Sequence, residues 1–418
     1  MNEKIIQQSD ALSPNFDNLR NRFFVVGIVG LIASLIGLYL SNDHYNQFFR
    51  SYLVAFTYWV SIPLGSLLIL MIHQVGGGTW GFTIRRQLEA ASRTLPLLFI
   101  FALPILAFGI HSPYEWSHTE VVADDALLRY KASFLNETQF RIRSVIYFII
   151  WGVLVYFLSK WTAQQDKEPN STNATWKMQK LSGPGIVIFF LTTTMSSIDW
   201  LMSLEPHWFS SIFGVIQIIG QALITWAFIT LVSIHLSHKE PIGRLLTGGR
   251  LADLGTFMLA TVMLWAYTSF SQLLIIWSGN LPEEITWFIT RTSGGWEYLS
   301  YGLIGLHFFF PFFFLISSTM KSKISVLKFF AYWLLLVRFF DIIWYTRPTF
   351  TKIDPLHANH YSTGFTMHWL DIAIMVAIGG FVISMFFSQL KKQPLIALND
   401  PRYPELYEVN QEDGEHHG

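Results

Sequence analysis

Three protonatable residues near the middle of the sequence are the first candidates for chemistry. Asp199, Glu205 and His207 lie in the segment TTTMSSIDWLMSLEPHWFSSIFG, residues 192–214, which separates two apolar stretches. An ionisable side chain at membrane depth costs at least about 2.5 kcal/mol on insertion scales, so it needs a partner, water or a functional role. The segment therefore predicts the entrance of a proton or quinone site. For Glu205 and His207, a short loop outside the membrane is an equally good explanation.

Two further pairs of ionisable residues occur at similar depth. Arg338 and Asp341 are three residues apart, so they share one helix face and can form an ion pair. His368 and Asp371 have the same spacing, and a carboxylate that orients an imidazole would suit proton transfer. A structural ion pair and a helix cap explain the two pairs equally well. The residues predicted to form the outer half of a proton route are Asp199, Glu205, His207, Arg338, Asp341, His368 and Asp371.

An inner half of the same route is predicted near the opposite ends of the apolar stretches. Its candidates are His73, Glu89, His235 and Asp253, each of which could also be an ordinary helix-end residue. His307 lies between the two halves, in GLIGLHFFFPFFF. A bis-histidine haem would need a second histidine at matching depth, and the other histidines near the spans lie close to span ends. His307 is therefore expected to serve either packing or proton transfer.

The composition indicates a membrane protein. The 418 residues are 52% hydrophobic and 13% charged, whereas soluble chains carry about 25% charged residues. Lys and Arg together number 28 and so do Asp and Glu, which argues against nucleic acid as a partner. Because no cysteine occurs, thiolate-ligated iron–sulphur clusters and covalently attached haem are not expected on this chain, and no metal site is predicted.

About 20 apolar residues are needed to cross a bilayer as a helix. Ten stretches meet this condition, so the fold is expected to be an all-α integral membrane protein. The domain of ten spans covers 23–388, between an N-terminal segment, 1–22, and a C-terminal tail, 389–418. The predicted spans are 23–41, 51–73, 94–111, 143–161, 183–202, 208–236, 252–277, 297–319, 325–346 and 366–388.

The distribution of Lys and Arg predicts the orientation. Nineteen of them lie in the segments on the same side as the N-terminus, and eight lie on the other side. Since basic residues concentrate in cytoplasmic loops, both termini are predicted to be cytoplasmic. On that side, residues 76–94 are expected to form a glycine hinge and a short amphipathic helix in the membrane interface. The tail beyond Leu390 is polar and is expected to lie on a partner or to be disordered.

Several segments together resemble a known family. They are FRSYLVAFTYWVSIPLGSLLILMIH (49–73), GTWGFTIRRQLEAASRTLP after it, SSIDWLMSLEPHWFSSIFG (196–214), LWAYTSFSQLLIIWSGNLPEEITWF (264–288), LHFFFPFFFLIS (306–317) and QLKKQPLIALNDPR (389–402). The chain is similar across nearly its whole length to the F subunit of bacterial alternative complex III, a quinol:cytochrome c (or auracyanin) oxidoreductase.

This resemblance implies a fold, partners and a role. The fold would be the polysulfide-reductase membrane-anchor (NrfD-like) fold, with two four-helix bundles flanked by a first and a last helix. The partners would be a sister subunit of the same fold, an iron–sulphur subunit and multihaem and monohaem c-type cytochrome subunits, in the inner membrane of a bacterium. The chain itself would bind no redox centre, would pack against its quinol-oxidising sister and would provide a transmembrane proton path in respiratory or photosynthetic electron transport.

Two alternatives stay open at this point. The chain could be a stand-alone secondary transporter, although paired helix breaks near mid-span are missing, or a purely structural anchor whose buried charges only pair with one another. A site for menaquinone or its quinol on this chain would be lined by aromatic residues, although an aromatic belt at the membrane surface also explains them. The aromatic candidates are Trp200, Trp208, Trp265 and Tyr267.

Overall fold

The computed structural model describes residues 13–40, 45–168, 172–238, 242–351, 365, 367–397 and 399–402, and for residues 13–15 and 351 only the backbone. These residues form helices joined by short connections and contain no strand. In the first half of the chain the helices are α1 (Ser13–Tyr39), α2 (Asn46–Gly76), α3 (Arg85–Ser92), α4 (Leu95–Pro104), α5 (Thr119–Asp124), α6 (Ala126–Lys131), α7 (Glu137–Lys167) and α8 (Thr172–Trp200).

The second half of the chain is built in the same way. Two π-helical turns extend or join helices: Ile105–Gly109 follows α4, and Ile304–Phe309 connects the helices Trp296–Leu303 and Phe310–Leu315. The helices are α9 (Phe213–Leu236), α10 (Ile242–Leu245), α11 (Gly248–Gly279), α12 (Pro282–Arg291), α13 (Trp296–Leu303), α14 (Phe310–Leu315), α15 (Ser318–Lys321), α16 (Ile324–Thr346) and α17 (Trp369–Leu390).

Nine helical segments of the described chain are long and apolar enough to cross a membrane. They confirm that the protein is an all-α, multi-pass membrane protein. The tenth predicted span, 325–346, is a helix of 23 residues, α16. It contains the charged residues Lys328, Arg338 and Asp341, so its composition alone does not identify it as a membrane-spanning helix. The last two of these charged residues are buried inside the protein, which is how α16 can carry them.

Helices α2 and α9 form the centre of the molecule. The apolar part of α2 is 94% buried and that of α9 is 78% buried, compared with 22% for α1. Helix α2 contacts α4 and α8, and α7 also contacts these two helices. Helix α9 contacts α11 and α16. The outward faces of the surrounding helices expose large apolar side chains. An apolar surface of this kind suits contact with lipid rather than water.

Helices α1 and α17 pair along their length because glycine allows their backbones to meet. A Cβ atom on Gly380 would lie 2.3 Å from the backbone nitrogen of Gly27, and one on Gly30 would lie 2.5 Å from that of Ala377. Close contact between small residues is a common way for membrane helices to associate, since van der Waals packing replaces the hydrophobic driving force in lipid. Helix α17 also contacts α2, so the pair lies against the centre of the molecule.

Helix α3 differs from its prediction as an interfacial helix. All eight of its residues, RRQLEAAS, are buried, whereas a helix lying in the interface would expose its polar face to water. The described C-terminal residues, 391–397 and 399–402, explain the difference, because they fold back over α3, where Arg85 bonds Asp400 and Arg86 bonds the Ile396 oxygen. Leu395, Ile396 and Ala397 are buried there. The part of the predicted polar tail that the structure describes therefore packs on the chain itself, while residues 403–418 lie outside the described residues.

Three long segments separate the predicted spans, namely 112–142, 278–296 and 347–365, and the first two contain helices. The loop 112–142 includes α5 and α6, and α7 begins at Glu137, several residues before the predicted span. The loop 278–296 contains α12. Most of the third predicted loop, 347–365, lies outside the described residues.

Candidate functional site

Asp199 is held by two side chains of α7. Arg143 donates from Nε to Oδ2 at 2.9 Å and from Nη2 to Oδ1 at 2.7 Å, and the Tyr147 hydroxyl donates to Oδ2 at 2.7 Å. Asp199 is fully buried, while the Arg143 side chain keeps 15% of its exposure. We call Arg143, Tyr147 and Asp199 the Asp199 triad. Its carboxylate accepts three hydrogen bonds, two of them in the bidentate arrangement that makes an Arg–carboxylate pair strong.

Glu205 is likewise paired, with an arginine outside the predicted set. Arg291, at the end of α12, donates to Glu205 Oε1 at 2.7 Å, and the Thr349 hydroxyl donates to the same oxygen at 2.8 Å. The guanidinium also donates to the backbone oxygens of Trp287, Trp344 and Tyr345. Burial lowers the pKa of Arg291, and the Glu205 carboxylate opposes that shift. This arrangement joins three connecting segments of the chain.

His207 lies at the surface and pairs with Asp125. Its Nε2 is 2.5 Å from Asp125 Oδ2, and the two side chains are 49% and 29% exposed. Asp125 also accepts from the backbone nitrogens of Leu127 and Leu128 at the start of α6. The hydrogen bond from Leu128 and the one from His207 hold the pKa of Asp125 below its usual value. His207 is therefore a loop residue that binds Asp125 at the start of α6. This agrees with the short loop outside the membrane that the sequence left open for His207.

Arg338 and Asp341 form the ion pair that their spacing predicted. Arg338 donates to Asp341 Oδ2, and Trp265 Nε1 donates to the same oxygen at 3.2 Å. Arg338 also donates to Gln217 Oε1 of α9 at 3.2 Å. Both charged side chains are completely buried. Gly220 makes room for the guanidinium, since a Cβ there would lie 2.2 Å from Arg338 Nη2.

His307 lies next to this pair, at the centre of the π-helical turn 304–309. Its ring is fully buried and its centroid is 4.0 Å from that of Trp265. The turn widens here because Pro311 has no N–H to donate to the carbonyl four residues earlier, that of His307. We call Gln217, Trp265, His307, Arg338 and Asp341 the His307 cluster.

His368 and Asp371 cap α17. His368 Nδ1 accepts from the Leu370 nitrogen at 3.2 Å, and Asp371 Oδ2 accepts from the His368 nitrogen at 2.9 Å. Asp371 Oδ1 also accepts from Arg347, which follows α16. The two residues thus form a reciprocal cap, and Asp371 ties the start of α17 to the end of α16.

Glu89 belongs to a network at the other end of the molecule. It accepts from Arg85 and Arg86, its neighbours on α3, and from Thr162 of α7. Arg86 also donates to Asp166, and Arg85 donates to Asp400 at 2.7 Å. We call these residues and Arg402 the α3 network. Burial would raise the pKa of Asp400, but the hydrogen bond from Arg402 and the charge of Arg85 hold it below the usual value.

The Asp199 triad and the α3 network lie near opposite ends of α7. Arg143 belongs to the first and Thr162 to the second, and 19 residues of helix between them span roughly 28 Å. This distance is close to the thickness of the hydrocarbon core of a bilayer, about 30 Å. The structure therefore separates the predicted outer and inner halves by about one membrane thickness.

The other predicted inner residues are dispersed. His73 is buried, with its Nε2 3.3 Å from the Gly78 carbonyl oxygen and its ring against Trp80. His235 and Asp253 are exposed. The structure therefore brings Glu89 into a polar network but places His235 and Asp253 on the surface.

The four aromatic candidates lie in different surroundings. Trp200 packs among Phe56, Phe148 and Trp151, beside a cavity of about 10 Å³. That volume holds about one water molecule and is far below the roughly 300 Å³ of a small-molecule pocket. Trp208 stacks on Trp287 at 4.6 Å, Trp265 belongs to the His307 cluster, and Tyr267 is 69% exposed. Trp208 also lines a separate, open cavity of about 550 Å³, so the four residues lie in different parts of the described chain.

Sequence reasoning missed most of the partners. The sequence pointed to acids within the spans, whereas their partners come from distant parts of the chain. One pattern in the segment from Arg141 to Tyr147 was detectable: Arg143 and Tyr147 are four residues apart and share a helix face, so they can bind the same partner. The missed residues are Arg143, Tyr147, Arg291, Arg347, Asp166 and Asp400.

Comparisons with known proteins do not identify the chain. No protein-family model matches its sequence, and no curated protein matches it.

Proposed function

We propose that this chain is an integral membrane subunit of a quinol:electron-acceptor oxidoreductase of the alternative complex III type. In this proposal it lies in the inner membrane of a bacterium with both termini cytoplasmic. It packs against a sister quinol-oxidising subunit and provides a transmembrane proton path. The haems and iron–sulphur clusters belong to partner subunits. The proposal rests on the sequence segments that resemble the F subunit of that complex.

One structural observation supports the proton path more than any other. Buried ionisable residues occur at both ends of α7, roughly 28 Å apart, and the His307 cluster lies deep between α9, α11 and α16. Charged residues are rarely kept inside a membrane protein without a functional reason. The helix contacts also suit the proposed pair of four-helix bundles, because α2, α4, α7 and α8 contact one another in sequence around one group.

The proposal places quinol oxidation on the sister subunit. The cavity beside Trp200 has a volume of only about 10 Å³, and no redox step is assigned to the side chains of this chain. The role of this chain is then to hold and move protons within the membrane.

A structural anchor is a second candidate, and a specific observation favours it. Asp199, Glu205 and Asp371 each pair with an arginine, as expected if the buried charges only lock helices together. Both candidate functions place this chain in the same complex, and they differ in whether the chain moves protons.

Purification of the native assembly tests the shared part. An affinity tag on this chain, mild detergent extraction and a native gel would be followed by haem staining and mass spectrometry of the band. We expect a multihaem c-type cytochrome and an iron–sulphur protein in the same band. A band that contains this chain without haem would contradict the proposal and favour a stand-alone transporter.

A further inference from the structure

The buried carboxylates of this protein differ in how completely their hydrogen bonds are satisfied. Both oxygens of Asp199 accept hydrogen bonds, three in all. In Asp341, Arg338 and Trp265 both donate to Oδ2. The other oxygen, Oδ1, has no hydrogen-bond partner within the described part of the chain. Asp341 is completely buried, so this oxygen is also shielded from bulk solvent.

The same cluster contains further polar atoms of this kind. Among the described residues, neither ring nitrogen of His307 has a hydrogen-bond partner, and the same holds for Arg338 Nε and Gln217 Nε2. All three side chains are at least 98% buried. Buried polar groups in proteins are nearly always hydrogen-bonded to protein or to ordered water. Five such atoms on four residues of the His307 cluster therefore point to a ligand that the side chains share.

The chemistry of these atoms identifies the class of ligand. Arg338 Nε and Gln217 Nε2 can only donate, Asp341 Oδ1 accepts, and a neutral His307 ring offers one donor and one acceptor. A metal ion would face two of these donors, and an anion would face the carboxylate. Water both donates and accepts, so it can satisfy the whole set. Buried water commonly makes about three hydrogen bonds to polar groups of this type.

We infer that the His307 cluster is a binding site for ordered water, which bridges His307 to Asp341 Oδ1 and to the amide of Gln217. The π-helical turn at His307 sets the ring at the site, and Gly220 leaves space for the guanidinium of Arg338. The hydrated cluster is a point at which a proton can be held and passed on. A proton accepted on one side is released on the other, so the number of protons on the cluster does not change. This second step rests on the proposed function, whereas the water site does not.

X-ray hydroxyl-radical footprinting in ¹⁸O-labelled water tests the site on the unmodified protein in its native assembly. Radicals generated from bound water modify the side chains beside it. His307 and Trp151 are both fully buried, and the indole of Trp151 is already bonded to Thr192 at 2.9 Å. Trp151 is the dry control, and indole reacts with hydroxyl radical at least as readily as imidazole. We expect His307 to incorporate ¹⁸O at least several-fold faster than Trp151. Labelling of His307 no faster than that of Trp151 would overturn the inference.

The relay step has its own readout. In vesicles that contain the assembly, Asp341→Asn is expected to lower proton translocation per quinol oxidised about tenfold while haem reduction continues. Asp125→Asn, at the exposed pair with His207, is the control and should leave the ratio unchanged. An unaltered ratio in Asp341→Asn would overturn the relay. If the wild type oxidises no quinol, the proposed function fails, but the footprint still decides whether the water site exists.

Discussion

Arg143 binds both carboxylate oxygens of Asp199, at 2.7 and 2.9 Å, across the interface between α7 and α8. Asp199, the first acidic candidate of the predicted proton route, is thus a fully paired carboxylate, and Glu89 near the other end of α7 accepts three hydrogen bonds as well. The pairing of Asp199 gives it a structural role, whatever it contributes to proton transfer. The neighbouring Trp200 and Ser144 are also hydrogen-bonded to each other, at 3.0 Å, so the two helices are joined at two points.

Asp199→Asn should therefore destabilise the protein. The substitution leaves Arg143 and Tyr147 without their shared acceptor, and breaking a buried pair costs about 3–5 kcal/mol. We expect a loss of stability at the lower end of this range, because Arg143 keeps some access to solvent. Thermal unfolding in detergent measures the change. Asp125→Asn is the matched control, since its ion pair is partly exposed and should contribute no more than about 1 kcal/mol. Equal effects of the two substitutions would contradict the account.

Arg291→Lys should also destabilise, although the charge is conserved. A lysine has a single ammonium group and cannot reproduce the fork that reaches Glu205 and three backbone oxygens. We expect a loss of at least about 2 kcal/mol, because buried acceptors would be left unpaired. Arg141→Lys is the control at a partly exposed pair with Glu137. The prediction fails if the two variants unfold at the same temperature.

Gly220→Ala tests the packing around the His307 cluster. The added methyl group would lie 2.2 Å from Arg338 Nη2, and the guanidinium cannot move away without loosening its bonds to Asp341 and Gln217. Overpacking of this kind costs about 1–3 kcal/mol. Gly152→Ala is the control, since no atom lies within 4 Å of its Cβ position, and alanine there should be neutral or stabilising by up to about 1 kcal/mol. Indistinguishable melting curves would show that Arg338 is not held as described.

The contact between Asp400 and Arg85 should depend on pH. The pKa of Asp400 is lowered in the folded protein. Its contribution to folding stability is therefore fully present above the pKa of the carboxyl group in the unfolded chain, about 4. It is lost as the pH falls through the lower folded value. Asp400→Asn should remove this dependence and destabilise the protein at neutral pH. Melting temperatures of wild type and variant, measured from pH 7 to pH 3, should converge in acid. A constant difference across that range would be the contrary result.

The sequence predicted the helical membrane fold because long apolar stretches have few alternatives in lipid. It also predicted the Arg338–Asp341 pair, since both residues lie on one helix. It could not predict that Asp199 meets Arg143, because 56 residues separate them and no local pattern encodes which helices are neighbours. The burial of α3 was missed for the same reason, because the residues that cover it, 391–397 and 399–402, come from the far end of the chain.

The central claim is that this chain belongs to a quinol-oxidising assembly. The most direct test is to purify the assembly through a tag on this chain, under mild detergent, and to add a reduced quinol while the absorbance of c-type haem is recorded. The account predicts that the haem in the purified material becomes reduced at a rate proportional to the amount of this chain. Material that contains the folded chain and shows no quinol-dependent haem reduction would contradict it.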